Sequence, residues 1–266
     1  MKLSVSNIAW LNIEDNIVYD LMIKYGFAGL EIAPTRLIEK KPYEHKEIAR
    51  RIADSLKQKY GFVISSLQSI LFGRNERLFG SDMERKDLMK YLKKAVDFAD
   101  TVGCGNMVFG SPKNRIIERE SDYCIAVAFF REIGEYALQH GTVVSIEANP
   151  MIYGTNFINR TDEAFKLVQD VNIEGFRINM DFGTIVENGE DIEKVSTMLD
   201  WINHIHISEP YLLRIQRRHE HRVLSKILKQ RGFDKFVSIE MKRNEHNNIE
   251  SLEETLRYIA DVFRGK

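Results

Sequence analysis

Residues 143–148, Val-Val-Ser-Ile-Glu-Ala, and residues 176–181, Phe-Arg-Ile-Asn-Met-Asp, flank an amphipathic stretch whose start is marked by Thr161-Asp162. Each flanking run is short, rich in β-branched and apolar residues, and carries a carboxylate at or near its end. A strand, a capped helix and a second strand in that order form a βαβ unit with parallel strands. The same alternation extends outward to both ends of the chain. Runs of strand character recur at Leu3–Ile8, Ala28–Ala33, Phe62–Leu67, Asn106–Gly110, Ile202–Ser208 and Phe236–Met241, which makes eight in all. Between them lie stretches with helical spacing, such as Leu88, Leu92, Ala95, Val96 and Ala99, or Leu252, Leu256, Ile259 and Phe263. Ser81-Asp82 and Glu250-Ser251 supply further caps. Tyr25-Gly26, Tyr60-Gly61, His140-Gly141 and Arg231-Gly232 read as left-handed helix stops ahead of the next strand.

Eight strands in 266 residues allow roughly 33 residues per unit, the size of a βα repeat. Eight strictly alternating units close into a barrel with the helices outside. The rival, a doubly wound open sheet, would normally show a Gly-rich phosphate loop after an early strand, and the sequence has none. The expectation is an α/β protein, a single (β/α)8 TIM-barrel domain over residues 1–266. Leu71–Asp82, which holds Arg74 and Arg77, reads as a long loop over the barrel mouth.

A net charge of −1 and a pI near 6.7 give no global field to recruit nucleic acid or an anionic membrane. No apolar run approaches the roughly 18 residues of a membrane span, and the N-terminal stretch lacks an apolar signal core. Cys104 and Cys124 are expected to be reduced and buried. A cytoplasmic protein with no nucleic-acid and no membrane partner follows as the expectation, a homodimer being a possible assembly.

Chemistry in such a barrel sits at the C-terminal strand ends. Glu147, Asp181, His206 and Glu240 stand there, with successive spacings of 34, 25 and 34 residues. Strand side chains alternate with period two, so Ser145 shares a face with Glu147, Asn179 with Asp181, His204 with His206, and Ser238 with Glu240. A lone Glu at a strand end ordinarily caps a loop or meets a cation, and a lone His in a strand is ordinarily a hydrogen-bonded core residue. Four such residues at matched depth are a different matter, because three carboxylates and an imidazole cannot converge without a counter-charge. One divalent ion supplies it, and mixed oxygen and nitrogen ligation suits Mn²⁺, Co²⁺, Zn²⁺ or Mg²⁺. His204, one layer deeper, is expected to support the site or the core rather than to ligate.

Residues 144–150 (Val-Ser-Ile-Glu-Ala-Asn-Pro), 179–183 (Asn-Met-Asp-Phe-Gly), 204–212 (His-Ile-His-Ile-Ser-Glu-Pro-Tyr-Leu) and 237–242 (Val-Ser-Ile-Glu-Met-Lys) resemble the xylose-isomerase-like sugar phosphate isomerase/epimerase superfamily, in its order and spacing along the whole chain. That superfamily includes ketose 3-epimerases, hydroxypyruvate isomerases, inositol-catabolism enzymes and type IV AP endonucleases. The resemblance implies that the Glu, Asp, His, Glu set binds one Mn²⁺-like ion, and that Glu147 and Glu240 double as acid and base. An isomerase or epimerase of a small sugar, ketose or sugar phosphate, working through an enediolate, is the expected activity. Its partner would be a small-molecule carbohydrate. The alternatives are an AP-endonuclease-like phosphodiesterase, which needs more metal ligands than these strand ends supply, and a non-catalytic sugar-binding barrel.

Substrate groups are sought among the other polar strand ends and loops: Asn7, Trp10, Glu31, Gln68, Ser69, Ser111, Asn149, Tyr153 and Asn156. About half of such residues cap loops instead. Arg214, Arg217, Arg218, His219 and His221 crowd the segment after the seventh strand, either as an anion site or as the solvated start of a helix. Two positions depart from the superfamily pattern. Thr184 stands where many members have a His, and Ser208-Glu209 where many have Lys-Asp or Asn-Asp. Transfer of a relative's substrate is therefore not expected.

Overall fold

The computed structural model describes residues 1–244 and 248–265. Its eight strands are β1 (Lys2–Ser6), β2 (Gly29–Ile32), β3 (Val63–Leu67), β4 (Met107–Phe109), β5 (Val144–Glu147), β6 (Phe176–Asp181), β7 (Ile202–Ile207) and β8 (Phe236–Ile239). All are parallel and each pairs with the next. β8 pairs with β1 through Leu3↔Val237 and Val5↔Ile239, which closes the barrel. The outer ring comprises α1 (Asp15–Tyr25), α3 (Lys46–Tyr60), α4 (Asp82–Thr101), α5 (Tyr123–Gln139), α6 (Thr161–Val171), α9 (His219–Gln230) and α10 (Asn248–Arg264). A single turn, α2 (Pro34–Leu37), follows β2, and the sixth unit carries two short helices, α7 (Phe182–Asn188) and α8 (Val195–Met198).

Strand residues of one parity pack on the helices. Val144, Ile146, Ile205, Ile207, Val237 and Ile239 are at most 1% exposed, and they meet the buried stripe of Leu88, Leu92, Ala95, Val96 and Ala99 on α4 and its counterparts in one core. Gly26 and Gly61 end α1 and α3 at φ of +71° and +75°, a left-handed stop that costs a glycine nothing. α10 begins two residues ahead of the Glu250-Ser251 cap read from sequence. No helix among the described residues is long and apolar enough to cross a membrane.

Residues of the other parity fill the lumen, and they are polar. The Ser4 and Ser65 hydroxyls meet at 2.5 Å, and Asn106 links Ser66 (2.9 Å) to Ser145 (2.6 Å). Two register shifts lie beside this network, one between β2 and β3 near Glu31 and one between β6 and β7 at Asn179. The second aligns Asn179 with His204 and Asp181 with His206. A bulge there re-aims the rest of the strand, so both histidines face the carboxylates. The two cysteines are unpaired. Cys104 is buried as expected, but Cys124 is exposed, because its turn of α5 faces outward.

Candidate metal centre

Glu147 ends β5, Asp181 ends β6, His206 is the penultimate residue of β7 and Glu240 follows β8. One ligand atom from each lies within 4.8 Å of all the others. His206 Nδ1 stands 2.8 Å from Glu147 Oε1 and 3.2 Å from Glu240 Oε2. Its Nε2 lies 3.1 Å from Glu31, and the deeper His204 reaches the same carboxylate at 2.7 Å. Glu31, His204 and His206 are all 0–1% exposed. Glu147 and Asp181 have further support. Asn179 Nδ2 donates to Glu147 Oε1 (2.7 Å) and Asn149 Nδ2 to Glu147 Oε2 (3.0 Å). Asp181 Oδ2 accepts from Thr184 N at 2.7 Å and lies 2.9 Å from the Thr184 hydroxyl, while Ser208 donates to Oδ1.

The electrostatics show the strain of assembling these groups. Burial, reinforced by the neighbouring Glu147 charge, pushes the Asp181 carboxyl up to about 6. Burial pushes Glu240 up to about 7, against the pull of His206. His206 resists burial through the Glu240, Glu31 and Glu147 charges around it, and its pKa is raised well above the usual imidazole range. Burial also opposes the Glu31 charge, but the His206 and His204 rings hold that carboxyl well below its usual range. A divalent cation fits this donor set. It would replace the His206 Nδ1 proton as counter-charge to three carboxylates, while Glu31 keeps the proton on Nε2 and fixes the ring.

The model of the xylose isomerase-like TIM barrel family matches residues 19–262. The chain belongs to that family. No curated protein sequence matches it. Solved structures of similar fold include 3-keto-D-glucoside 4-epimerase from E. coli, at 16% identity and TM-score 0.79 over 97% of this chain and 98% of that one. D-psicose 3-epimerase from Clostridium cellulolyticum H10, with D-tagatose, matches at 16% identity and TM-score 0.79 over 99% and 98%. The IolI protein, solved with a zinc atom, matches at 17% identity and TM-score 0.74 over 99% of each chain.

This member of the family places Gln68, Ser111, Asn149 and Tyr153 around a cavity of about 580 Å³ whose floor includes Glu147, Asp181 and Glu240. Part of the long loop after β3, from Leu71 to Asn75, forms one wall, Arg74 included. Tyr153 contributes its ring, while its hydroxyl accepts from Tyr211 N at 2.7 Å and ties the β5 loop to the β7 loop. Ser69 lines the same cavity, whereas Asn7, Trp10, Glu31, Asn156, Arg214 and His221, also sought as substrate groups, do not. Asn7 Oδ1 accepts from Ala33 N (2.9 Å), joining the β1 and β2 loops. Trp10 is buried with its indole N–H on Asp15 (2.8 Å). Asn156 exchanges two hydrogen bonds with the Ile117 backbone (2.9 and 2.8 Å). Arg214 points outward to Glu254 on α10. His221 is buried between Phe182 and the Tyr258 hydroxyl, 3.0 Å away, and burial drops its pKa to about 3.

The two departures from the family pattern have local roles. Asp181 is the N-cap of α7, and Thr184 completes that cap while its hydroxyl donates to Ala148 O at 2.7 Å. Ser208 accepts from Gly183 N (2.8 Å) and donates to Asp181. Glu209, 2% exposed, holds Arg218 through two bonds of 2.8 and 2.6 Å, so this part of the arginine cluster braces the loop rather than the cavity. Glu31 lies beneath the cluster, in contact with both the His204 and His206 rings, and does not line the cavity. Arg115, which the sequence did not single out, lies fully buried behind Glu147.

Proposed function

We propose that this chain is a divalent-metal-dependent isomerase or epimerase of a small sugar, ketose or sugar phosphate, with Glu147 and Glu240 as its acid and base. One observation carries the reading: the two carboxylates flank His206 Nδ1 at 2.8 and 3.2 Å and open onto one cavity deep enough to take a sugar. The bound ion, Mn²⁺ or a similar cation, would supply Lewis-acid stabilisation of the charge that develops on the substrate's carbonyl oxygen. Glu147 and Glu240 come from β5 and β8, on different sides of the mouth, and so address different faces of the substrate. Glu147, which accepts from the Asn179 and Asn149 amides, takes the proton from the carbon next to the carbonyl. Glu240, reaching the cavity from the end of β8, is placed to return one. Asn149, Tyr153, Gln68 and Ser111 supply the polar wall against which a sugar is oriented.

The test is turnover of a panel of ketoses and ketose phosphates in D₂O with Mn²⁺ present. Deuterium is expected at the carbon beside the carbonyl. Glu147→Gln and Glu240→Gln are each expected to lower kcat by about 10² to 10⁴ while calorimetry still detects Mn²⁺ binding. Near-wild-type turnover in either variant would remove the acid/base assignment. Cleavage of abasic-site DNA by the wild type, with no ketose turned over, would replace the reaction class.

A further inference from the structure

Arg115 is 0% exposed, and among the described residues no carboxylate forms an ion pair with it. Its guanidinium instead donates to Gly110 O (2.7 Å), Phe157 O (2.5 Å), Ile158 O (3.3 Å), Glu147 O (2.8 Å) and Asn149 Oδ1 (2.6 Å). Burial lowers its pKa to about 10, against the pull of Glu147, so it stays charged at neutral pH. A buried cation with no carboxylate in contact is expensive, even with Glu147 and Glu163 attracting it from farther off. Only the planar fork of guanidinium donors reaches all of these acceptors at once. Glu147 lies directly in front of this group, its backbone oxygen 2.8 Å from the guanidinium.

The link is Asn149. Arginine has donors only, so Asn149 must turn its oxygen to Arg115 and its NH₂ to the Glu147 carboxylate. That NH₂ takes Glu147 Oε2, at 3.0 Å, and leaves Oε1 facing His206 Nδ1. Gly110 closes the arrangement from the β4 side: a Cβ there would lie 2.8 Å from Glu147 Oε2 and 3.6 Å from Asn149 Oδ1.

We propose that Arg115 is a positioning residue for the centre: through Asn149 it sets the Glu147 carboxylate so that Oε1 serves the ion and Oε2 is held for proton transfer. The inference rests on the reading of Glu147 as ligand and acid/base group.

A double-mutant cycle on Arg115→Lys and Asn149→Ala, read as Mn²⁺ affinity by calorimetry, tests it. Lysine keeps the charge but is a point donor that cannot span three loops and Asn149 at once. Each single variant is expected to lose about 10- to 100-fold in Mn²⁺ affinity, the cost of removing an outer-shell partner. The double variant is expected to be no weaker than the weaker single, because both changes break one chain. For Arg115→Lys, on any substrate that turns over, kcat is expected to fall with KM little changed. Losses that multiply in the double variant would reduce Arg115 to an independent loop staple, as would wild-type affinity in folded Arg115→Lys. Should Arg115→Lys fail to fold, Asn149→Ala decides alone: unchanged affinity overturns the relay, and a tenfold loss supports it. The affinity cycle stands apart from turnover. A wild type that binds Mn²⁺ but converts no ketose overturns the isomerase reading and leaves this inference to the cycle.

Discussion

His206 is gripped on both ring nitrogens, and the two partners do different jobs. Nδ1 faces Glu147 and Glu240, where a cation would sit, while Nε2 faces Glu31, itself fixed by His204. A carboxylate behind a ligating histidine sets its tautomer and raises its basicity. Glu31→Gln keeps the volume but brings an NH₂ that can donate to Nε2, which would place the ring proton on Nδ1, toward the ion. About 10- to 100-fold weaker Mn²⁺ binding is expected by calorimetry; wild-type affinity would show that Glu31 serves the core alone. Sequence parity places Glu31 in the lumen but carries no depth, and so it stood among the substrate groups. His204 was legible as a supporting residue because it lies two positions before His206, on the same face and one layer down.

At the scale of elements, the strands match their sequence signals to within one or two residues, because a parallel strand buried on both faces has few other ways to fold. α4 shows how helix and barrel are joined. Its apolar stripe is buried on the barrel, and its N-terminus is closed by a capping box: Ser81 Oγ accepts from Glu84 N at 3.2 Å and Glu84 accepts from Ser81 N at 2.8 Å. Ser81→Ala is expected to lower stability by about 1 kcal/mol in urea unfolding with Mn²⁺ affinity unchanged, since the cap lies outside the centre. A matching loss of affinity would mean that the β3 loop and α4 start move with the ligands. The sixth unit was less legible. Two short helices replace one, the first ending at Gly189 in the left-handed region.

Across the molecule, stability and metal binding are linked through the charges of the centre. The folded-state pKa values of Asp181 and Glu240, about 6 and about 7, exceed their unfolded values of 3.8 and 4.5. Such groups contribute stability that is present at low pH and lost as pH rises through the folded values. His206, also raised, acts in the same direction. His204 and His221 are lowered and act oppositely. His221 does so whether or not a cation is bound, and His204, two shells from the ion, is expected to do so nearly equally. The gap between the Tm of Mn²⁺-loaded and chelator-treated protein is therefore the informative quantity. It is expected to widen from pH 5 to pH 8, as protons stop competing for Asp181, Glu240 and His206 Nδ1. At a thousandfold excess over Kd the ion contributes about 4 kcal/mol, or roughly 10 °C in Tm for a chain of this size. A gap independent of pH would mean that these groups are not the ligands. The amino-acid sequence by itself determined the closed barrel and brought four donors to its mouth, because strand period and βα alternation follow from local covalent geometry. Tertiary structure decided what lies behind those donors. Closing β8 onto β1 puts Glu31 beneath His206, the loops after β4 and β5 fold over Arg115, and Arg214 turns away to α10. Those contacts join residues tens to hundreds of positions apart, and no local pattern encodes such distances.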